Sequence, residues 1–208
     1  HLGHSVQLFV LKRFRALGHK VFIVIGDFTA QIGDPTGKDL TRRPLTEKEV
    51  KENAGRYKNQ IAKILDASRA DFKYNSSWLG ELDFKDVVKL GAFKTVQQLL
   101  DRDMFQKRIA KGEPIGIHEF LYPLMQGYDS VALKIDGEIG GSDQTFNMLV
   151  GRDLERAYLG KEKFVLTTRL LVNPKTGEKM MSKTAGDYIS LQAPSQEIYS
   201  RVMSLSDE

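Results

Sequence analysis

The sequence predicts an α/β protein in which helices flank a parallel sheet, and three observations support this prediction. Apolar residues recur at helical spacing over residues 5–17, and Gly18 can adopt the left-handed conformation that ends a helix. A continuous β-branched run follows at residues 21–25, as expected of a strand that is buried on both faces. Helix, short loop and buried strand in this order are typical of a parallel α/β sheet.

The later elements follow the same alternation. Thr46 and Glu49 form a capping box, which predicts a helix from there to about residue 64. The other predicted elements are strands at 72–74 and 164–166, helices within 85–111 with a junction at 101–103, helices at 118–125 and 147–154, a glycine turn at 140–141 and a polar loop at 173–187.

The composition restricts the class of protein. The chain has 208 residues, of which 41% are hydrophobic and 28% charged, so disordered and fibrous proteins are excluded. No apolar run approaches the ~20 residues of a membrane-spanning helix, and the absence of Cys excludes disulfides and thiolate chemistry. We therefore expect a cytoplasmic enzyme or binding protein with no membrane association. The net charge of +4 permits an anionic partner without establishing one.

Two short segments have the composition of phosphate-binding sites. His1-Leu2-Gly3-His4 stands immediately ahead of the first predicted helix, where the two imidazoles share a face and free N–H groups suit a phosphate. Residues 179–184 (Lys-Met-Met-Ser-Lys-Thr) offer mobile positive charge and hydroxyl groups within a loop. Each segment taken alone is better explained by an ordinary polar terminus or a solvated turn.

Together the two segments resemble the HIGH and KMSKS motifs of class I aminoacyl-tRNA synthetases, in the same order along the chain. Residues 119–129 and 140–144 resemble the amino-acid-binding helix and the ribose-binding turn of bacterial tyrosyl-tRNA synthetases. Residues 33–38 with Arg42 are similar to the phosphate loop of that family. The resemblance covers essentially the whole chain and implies a Rossmann-like catalytic domain with a helical insertion.

One group of residues can also be interpreted on physical grounds. Tyr122, Gln126 and Asp129 follow one another at i, i+4 and i+7, so they line one face of a predicted helix. A buried Asp needs a hydrogen-bond donor, which a substrate phenol could supply, although a solvent-exposed polar face is an equal alternative. The resemblance implies that Tyr122 and Gln126 bind the α-amino end of tyrosine and that Asp129 binds its hydroxyl group.

The resemblance also assigns the other candidate residues. It implies that tyrosine is bound by Thr29, Asp34, Tyr122, Gln126, Asp129 and Gln144. It implies that ATP is bound by His1, Gly3, His4, Gly141, Asp143, Lys179 and Lys183. It implies that the charge developed during activation is stabilised by His1, His4, Lys38, Arg42, Lys183 and Thr184. We expect no metal site within the protein, and we expect His19 and His118 to be structural or surface residues.

The phosphate loop is not a Walker A motif. Asp39 follows Lys38 where that motif requires Ser or Thr, and Ile32 occupies the position of its first glycine. A P-loop ATPase is therefore rejected. Asp34, which the resemblance pairs with the substrate ammonium, fits an ordinary turn equally well.

The implied reaction is attack of the tyrosine carboxylate on the α-phosphate of ATP, which enters as substrate with Mg²⁺. L-tyrosine, ATP and tRNA(Tyr) would be the ligands, and a second copy of the chain would form a homodimer. The resemblance divides the chain into a catalytic domain at 1–172, with a dimer-interface insertion at about 85–115, and a loop and linker at 173–208. Apolar residues in the insertion fit an ordinary core equally well.

Two departures from the family pattern lead to further expectations. Met180 occupies the first lysine position of the KMSKS-type motif, with Lys179 one residue earlier. The chain begins at the first His of the opening motif, so we expect a catalytic-domain fragment of low activity. A central strand would precede it, and adding about 35–45 upstream residues should restore a stable domain.

Two alternative functions remain open. Another nucleotidyl transferase with a His-x-Gly-His motif, such as a pantothenate synthetase-like ligase, would lack the Tyr122–Gln126–Asp129 face. A non-catalytic relative that binds RNA or another protein would bind nucleic acid without turning over ATP.

Overall fold

A computed structural model describes residues 1–32, 46–65, 71–172 and 188–204. The elements in chain order are helix α1 (Leu2–Ala16), strand β1 (Phe22–Ile25), a 3-10 turn (Thr29–Gln31), helix α2 (Glu47–Ala62), strand β2 (Asp71–Tyr74), helices α3 (Ser76–Leu79), α4 (Phe84–Gly91), α5 (Val96–Leu100), α6 (Asp103–Ala110) and α7 (Ile117–Leu133), strand β3 (Gly137–Gly141), a 3-10 turn (Ser142–Gln144), helix α8 (Thr145–Leu159), strand β4 (Phe164–Thr168) and helix α9 (Ser195–Met203).

The strands of the described residues form two parallel pairs. β1 pairs with β2, with Ile25 opposite Tyr74, and β3 pairs with β4, with Gly141 opposite Thr168. Parallel pairing and alternating helices confirm the α/β class predicted from the sequence. β3 was predicted only as the approach to a glycine turn.

The prediction that the first strand is buried on both faces is wrong. Val24 keeps 37% of its surface exposed, whereas Ile25 is buried. The physical reason is that α2 does not close over Val24, since an open cavity remains between this side chain and Val50, Ala54 and Tyr57.

Helix boundaries follow local capping interactions. α1 begins at Leu2, because the carbonyl oxygen of His1 accepts from the His4 N–H at 3.0 Å. The sequence analysis placed the His-Leu-Gly-His segment ahead of the first helix. In the structure the segment forms the N-cap and first turn of α1. α1 ends at Ala16, two residues before Gly18 with its φ of +91°. Leu17, expected on the apolar face, is 78% exposed.

The segment expected to be mostly helical forms three short helices, α4 to α6. The Asp83 and Thr95 side chains cap α4 and α5 by accepting from the N–H groups of Asp86 and Gln98. The predicted junction at residues 101–103 is confirmed, since α5 ends at Leu100 and α6 begins at Asp103.

The core lies where α7 packs against α8. Both helices are longer than the sequence predicted, with the buried Pro123 inside α7. The core residues that pack together are Leu90, Leu124, Val131, Val150 and Leu154. Gly127 permits the close approach of the helices, because a Cβ there would lie 3.0 Å from the backbone nitrogen of Gly151.

Within the described ranges, the helices are too short or too polar to cross a membrane.

Candidate active site

Asp129 is the centre of the polar site on α7. Its Oδ1 accepts a 2.8 Å hydrogen bond from Trp78 Nε1, and Asn75 donates a second one. Burial raises the pKa of Asp129 to about 7, and the two hydrogen bonds limit that rise. Two charged neighbours act in opposite directions, since Glu138 raises the pKa and Lys163 lowers it.

Asn75 joins Asp129 to the predicted tyrosine-binding residue Thr29. The side chain of Asn75 is buried, and its Nδ2 donates to Thr29 Oγ1 at 3.2 Å. Its Oδ1 accepts from the Phe28 N–H at 3.0 Å, and its own N–H donates to the Ile25 carbonyl. One amide therefore fixes the carboxyl ends of β1 and β2 beside α7.

Asp27 reinforces the same strand ends. Its carboxylate accepts from the Phe28 N–H at 3.1 Å, the Ser76 N–H at 2.9 Å and the Ser76 hydroxyl at 2.5 Å. The start of α3, which carries Trp78, is thereby tied to the end of β1.

Asn147 brings two further predicted tyrosine-binding residues together. It is fully buried on α8, and its Nδ2 donates to Gln126 Oε1 at 2.9 Å and to Gln144 Oε1 at 3.0 Å. Each glutamine oxygen accepts one hydrogen bond from Asn147 and keeps a second lone pair, so each side chain can offer a ligand both an acceptor and its Nε2 donors. The pair can therefore meet both the ammonium group and the carboxylate of an amino acid. Tyr122 lies half-buried one helical turn before Gln126.

The glycine turn that ends β3 lies beside the predicted ribose site. Gly141 is buried, and a Cβ there would lie 2.6 Å from Asp143 Oδ1, so this glycine leaves room for the carboxylate. Asp143 itself is exposed and can meet a ligand from solvent.

The His1–His4 segment begins the helix that is hydrogen-bonded to the strand ends beside the glycine turn. The two imidazole rings stack with centroids 3.9 Å apart, and the first turn of α1 contains no acidic residue. Gln7, one turn further along, donates to Thr168 Oγ1 at 3.0 Å, and Thr168 Oγ1 lies 3.4 Å from the Gly140 carbonyl. The helix that begins with the His motif is thus fixed to the end of β3. Gly3 lies between the two imidazoles in the first turn of α1.

Six predicted site residues lie outside the described residues: Asp34, Lys38, Arg42, Lys179, Lys183 and Thr184. His19 and His118 are exposed, in agreement with the prediction for them, and His19 contacts the ring of Phe14 edge-on.

Sequence reasoning missed Asn75, Trp78, Asn147 and Gln7. The sequence analysis assigned no role to Asn75, although a polar residue directly after a parallel strand is a signal for a ligand site. Trp78 gave no comparable signal, because its partner Asp129 is 51 residues away, and Asn147 gave none, because its link to Gln126 spans 21 residues.

The chain is similar to known proteins over its whole length. A family model described as class I tRNA synthetases for tryptophan and tyrosine matches residues 1–208. The chain is 52% identical over 207 residues to a tyrosine–tRNA ligase of Carboxydothermus hydrogenoformans, and 51% identical over 208 residues to one of Geobacter metallireducens. All of this chain is covered, with 50% and 51% of those proteins, so it spans about half the length of the curated relatives it matches.

Solved structures share the fold. The tyrosyl-tRNA synthetase of Archaeoglobus fulgidus, complexed with L-tyrosine, is 27% identical with a TM-score of 0.74, over 99% of this chain and 61% of its own. The tryptophanyl-tRNA synthetase of Campylobacter jejuni is 17% identical with a TM-score of 0.64, over 100% of this chain and 63% of its own, and shows the fold alone. These structures confirm the Rossmann-like catalytic-domain fold that the resemblance implied. On the family model and these structures, the chain belongs to the class I aminoacyl-tRNA synthetases of the tryptophan and tyrosine type.

Proposed function

We propose that the protein activates L-tyrosine with ATP and transfers the tyrosyl group to tRNA(Tyr). The observation that carries the proposal is the Asp129 carboxyl group, which Trp78 and Asn75 hold on the same face of α7 as Gln126. A half-buried carboxylate at this position suits a phenol hydroxyl group, which donates the hydrogen bond that an apolar ring could not. The names of the relatives at 50–52% identity support the choice of tyrosine over tryptophan.

The other site residues take roles consistent with this substrate. Gln144 offers amide donors to the amino-acid carboxylate, Gln126 meets the α-amino end, and Asn75 holds Thr29 beside Asp129. Tyr122 contributes on the α7 face. Asp34 is proposed to receive the substrate ammonium group.

ATP enters as its Mg²⁺ complex. A carboxylate oxygen of tyrosine attacks the α-phosphorus, a phosphorus–oxygen bond forms, the bond to the β-phosphate breaks, and pyrophosphate leaves with the electron pair. No side chain becomes a covalent nucleophile, so positioning and electrostatic stabilisation supply the rate enhancement. The residues we propose to hold ATP and its developing charge are His1, Gly3, His4, Lys38, Arg42, Gly141, Asp143, Lys179, Lys183 and Thr184.

Amino-acid-dependent exchange of pyrophosphate into ATP tests the proposal. We expect exchange with tyrosine and little with phenylalanine or tryptophan. In Asp129→Ala, kcat/KM for tyrosine should fall by about 10- to 100-fold, since a hydrogen bond to a charged group is worth about 1.5–3 kcal/mol. Asp153→Ala is the matched control, because this α8 carboxylate pairs with Lys94 at the surface. Binding of tRNA without any exchange would instead support a non-catalytic module and contradict the proposal.

We also propose that the protein acts in the cytoplasm, where tRNA(Tyr) is charged.

We further propose that two copies associate through the α4–α6 segment. Large apolar side chains are exposed on this segment, with Phe84 at 83% and Val88 at 58%. An exposed apolar patch is typical of a protein interface. Sedimentation equilibrium should show a dimer that Val88→Asp converts to a monomer, and a monomeric wild type would contradict the proposal.

A further inference from the structure

A carboxylate that follows β1 holds the helix that carries Trp78, and no step of the proposed reaction uses it. Asp27 lies half-buried two residues after the end of β1. Its Oδ1 accepts from the Ser76 N–H at 2.9 Å, and its Oδ2 accepts from the Ser76 hydroxyl at 2.5 Å. Two hydrogen bonds therefore join Asp27 to the first residue of α3.

The short helix α3 needs an anchor outside itself. It is a single turn of four residues, and a helix of this length is unstable when isolated. Its N-cap residue Asn75 makes no capping hydrogen bond, because that side chain donates to Thr29 and accepts from the Phe28 N–H. The first N–H groups of a helix have no partner within it, so Asp27 supplies the cap from the end of the neighbouring strand. The orientation of α3 therefore depends on Asp27.

The helix that Asp27 anchors reaches the proposed tyrosine site through Trp78. Trp78 lies two residues after Ser76, and its Nε1 donates to Asp129 Oδ1 at 2.8 Å. A carboxylate has several acceptor positions, so Asp129 can accept from Trp78 and from a ligand at the same time. The hydrogen bond from the indole restricts rotation of the carboxylate, and this determines where its remaining acceptor positions point.

We propose that Asp27 is a positioning residue for tyrosine recognition, which holds α3 so that the Trp78 indole orients the Asp129 carboxylate toward the phenol hydroxyl group. The inference rests on the proposed function, because the phenol is the group that Asp129 would meet. The contacts run from Asp27 to Ser76, along one turn of α3 to Trp78, and from Trp78 to Asp129. Phenylalanine has no hydroxyl group and gains nothing from this orientation.

Three variants test the role of the Asp27 hydrogen bonds. Asp27→Ala removes both contacts with Ser76. Asp27→Asn keeps the shape, because its amide oxygen can accept from the Ser76 N–H while its Nδ2 donates to the Ser76 hydroxyl oxygen. Asp83→Ala is the matched control, since Asp83 Oδ1 accepts from the Asp86 N–H at 2.9 Å and caps α4 instead of α3.

Two measurements report on the proposed chain of contacts. Trp78 is the single tryptophan of the protein, so its indole N–H gives one signal in a ¹⁵N–¹H NMR spectrum. The position of that signal follows the hydrogen bond from Trp78 to Asp129. Pyrophosphate exchange at high enzyme concentration gives kcat and KM with tyrosine and kcat/KM with phenylalanine.

Loss of the Asp27 carboxylate should affect tyrosine alone. Asp27→Ala should displace the indole signal and raise KM for tyrosine about fivefold, the equivalent of one weakened hydrogen bond, with kcat nearly unchanged. The kcat/KM for phenylalanine should stay at the wild-type value, so discrimination between the two substrates should fall by the same factor. Asp27→Asn and Asp83→Ala should keep the wild-type indole signal and the wild-type KM.

A purely structural role for Asp27 predicts equal losses of kcat/KM with tyrosine and phenylalanine, and that result would overturn the inference. An unchanged indole signal in a folded Asp27→Ala would overturn it as well. If circular dichroism shows that Asp27→Ala does not fold, Ser76→Ala decides instead, because it removes only the hydroxyl contact. A displaced indole signal with a raised KM would then support the inference, and wild-type values would overturn it. A wild type that exchanges no pyrophosphate with tyrosine would contradict the proposed function, and the indole signal would still decide whether Asp27 positions Trp78.

Discussion

Asn147 orders two glutamines through a single amide nitrogen. Its Nδ2 donates to both Gln126 and Gln144, whereas its Oδ1 is buried and meets no donor among the described residues. A buried polar atom without a partner is costly, and such atoms are tolerated mainly at functional sites. We therefore interpret Asn147 as the residue that orients the Gln126 and Gln144 side chains.

Replacing Asn147 with Asp tests that interpretation at the scale of one residue. A carboxylate has nearly the same shape but cannot donate, so it should repel both glutamine oxygens and turn the amides. We expect KM for tyrosine in pyrophosphate exchange to rise about tenfold, the equivalent of one lost hydrogen bond, with a smaller change in kcat. An unchanged KM with a reduced kcat would place Asn147 in a different step.

At the scale of elements, the spacing between α7 and α8 sets the geometry of the proposed tyrosine site. α7 carries Tyr122, Gln126 and Asp129, and α8 carries Asn147, so the helices must approach closely for these side chains to meet. Gly127 allows that approach, because a Cβ there would lie 3.0 Å from Gly151 N and 3.0 Å from Leu154 Cδ1.

Gly127→Ala should separate the two helices. The backbone of Gly151 cannot yield as a flexible side chain would, so we expect a loss of about 1–3 kcal/mol in the free energy of unfolding. Gly55→Ala is the matched control, since Gly55 lies in the interior of α2 with no atom within 4 Å of an added Cβ. That substitution should stabilise the protein by about 0.5–1 kcal/mol. Urea unfolding measures both, and equal effects of the two substitutions would contradict the role of Gly127.

At the scale of the whole molecule, local patterns were predictable and long-range contacts were not. Tyr122, Gln126 and Asp129 were predicted to share a helix, because i, i+4 and i+7 spacing depends only on helix geometry. Trp78 meets Asp129 and Asn147 meets Gln126 across 51 and 21 residues of chain, and no sequence pattern specifies such pairings.

The burial of β1 shows the same limit. A β-branched run predicts a strand, and β1 is one. The burial of Val24, however, depends on which elements pack over the faces of that strand. The burial of Lys163, which pairs with Glu138, was equally beyond prediction, since a lysine ahead of a strand is usually a surface residue.

The pH dependence of folding is a second property of the whole molecule, and the buried carboxyl groups set part of it. Glu155 is fully buried on α8, and its carboxylate has no hydrogen-bond partner among the described side chains, while the backbone N–H of Ile135 lowers its pKa. Burial raises the pKa of Glu155, although Lys163 and Lys161 oppose the rise, and burial raises that of Asp129 as well. Between the ordinary carboxyl pKa and the raised pKa, each of these two groups is protonated in the folded protein and ionised in the unfolded chain.

Stability should therefore fall as the pH rises from the ordinary carboxyl pKa, about 4.5, through the raised values in the folded state. Glu155→Gln cannot ionise and should lose its part of this slope. We expect it to match the wild type near pH 4.5 and to be more stable by on the order of 1 kcal/mol near pH 8.5. Glu162→Gln, which removes an exposed partner of Arg156, should change stability little at either pH. Urea unfolding across this range makes the comparison. If Glu155→Gln were less stable than the wild type at the higher pH, Glu155 would be ionised in the folded protein, and its attraction to Lys163 and Lys161 would outweigh its burial.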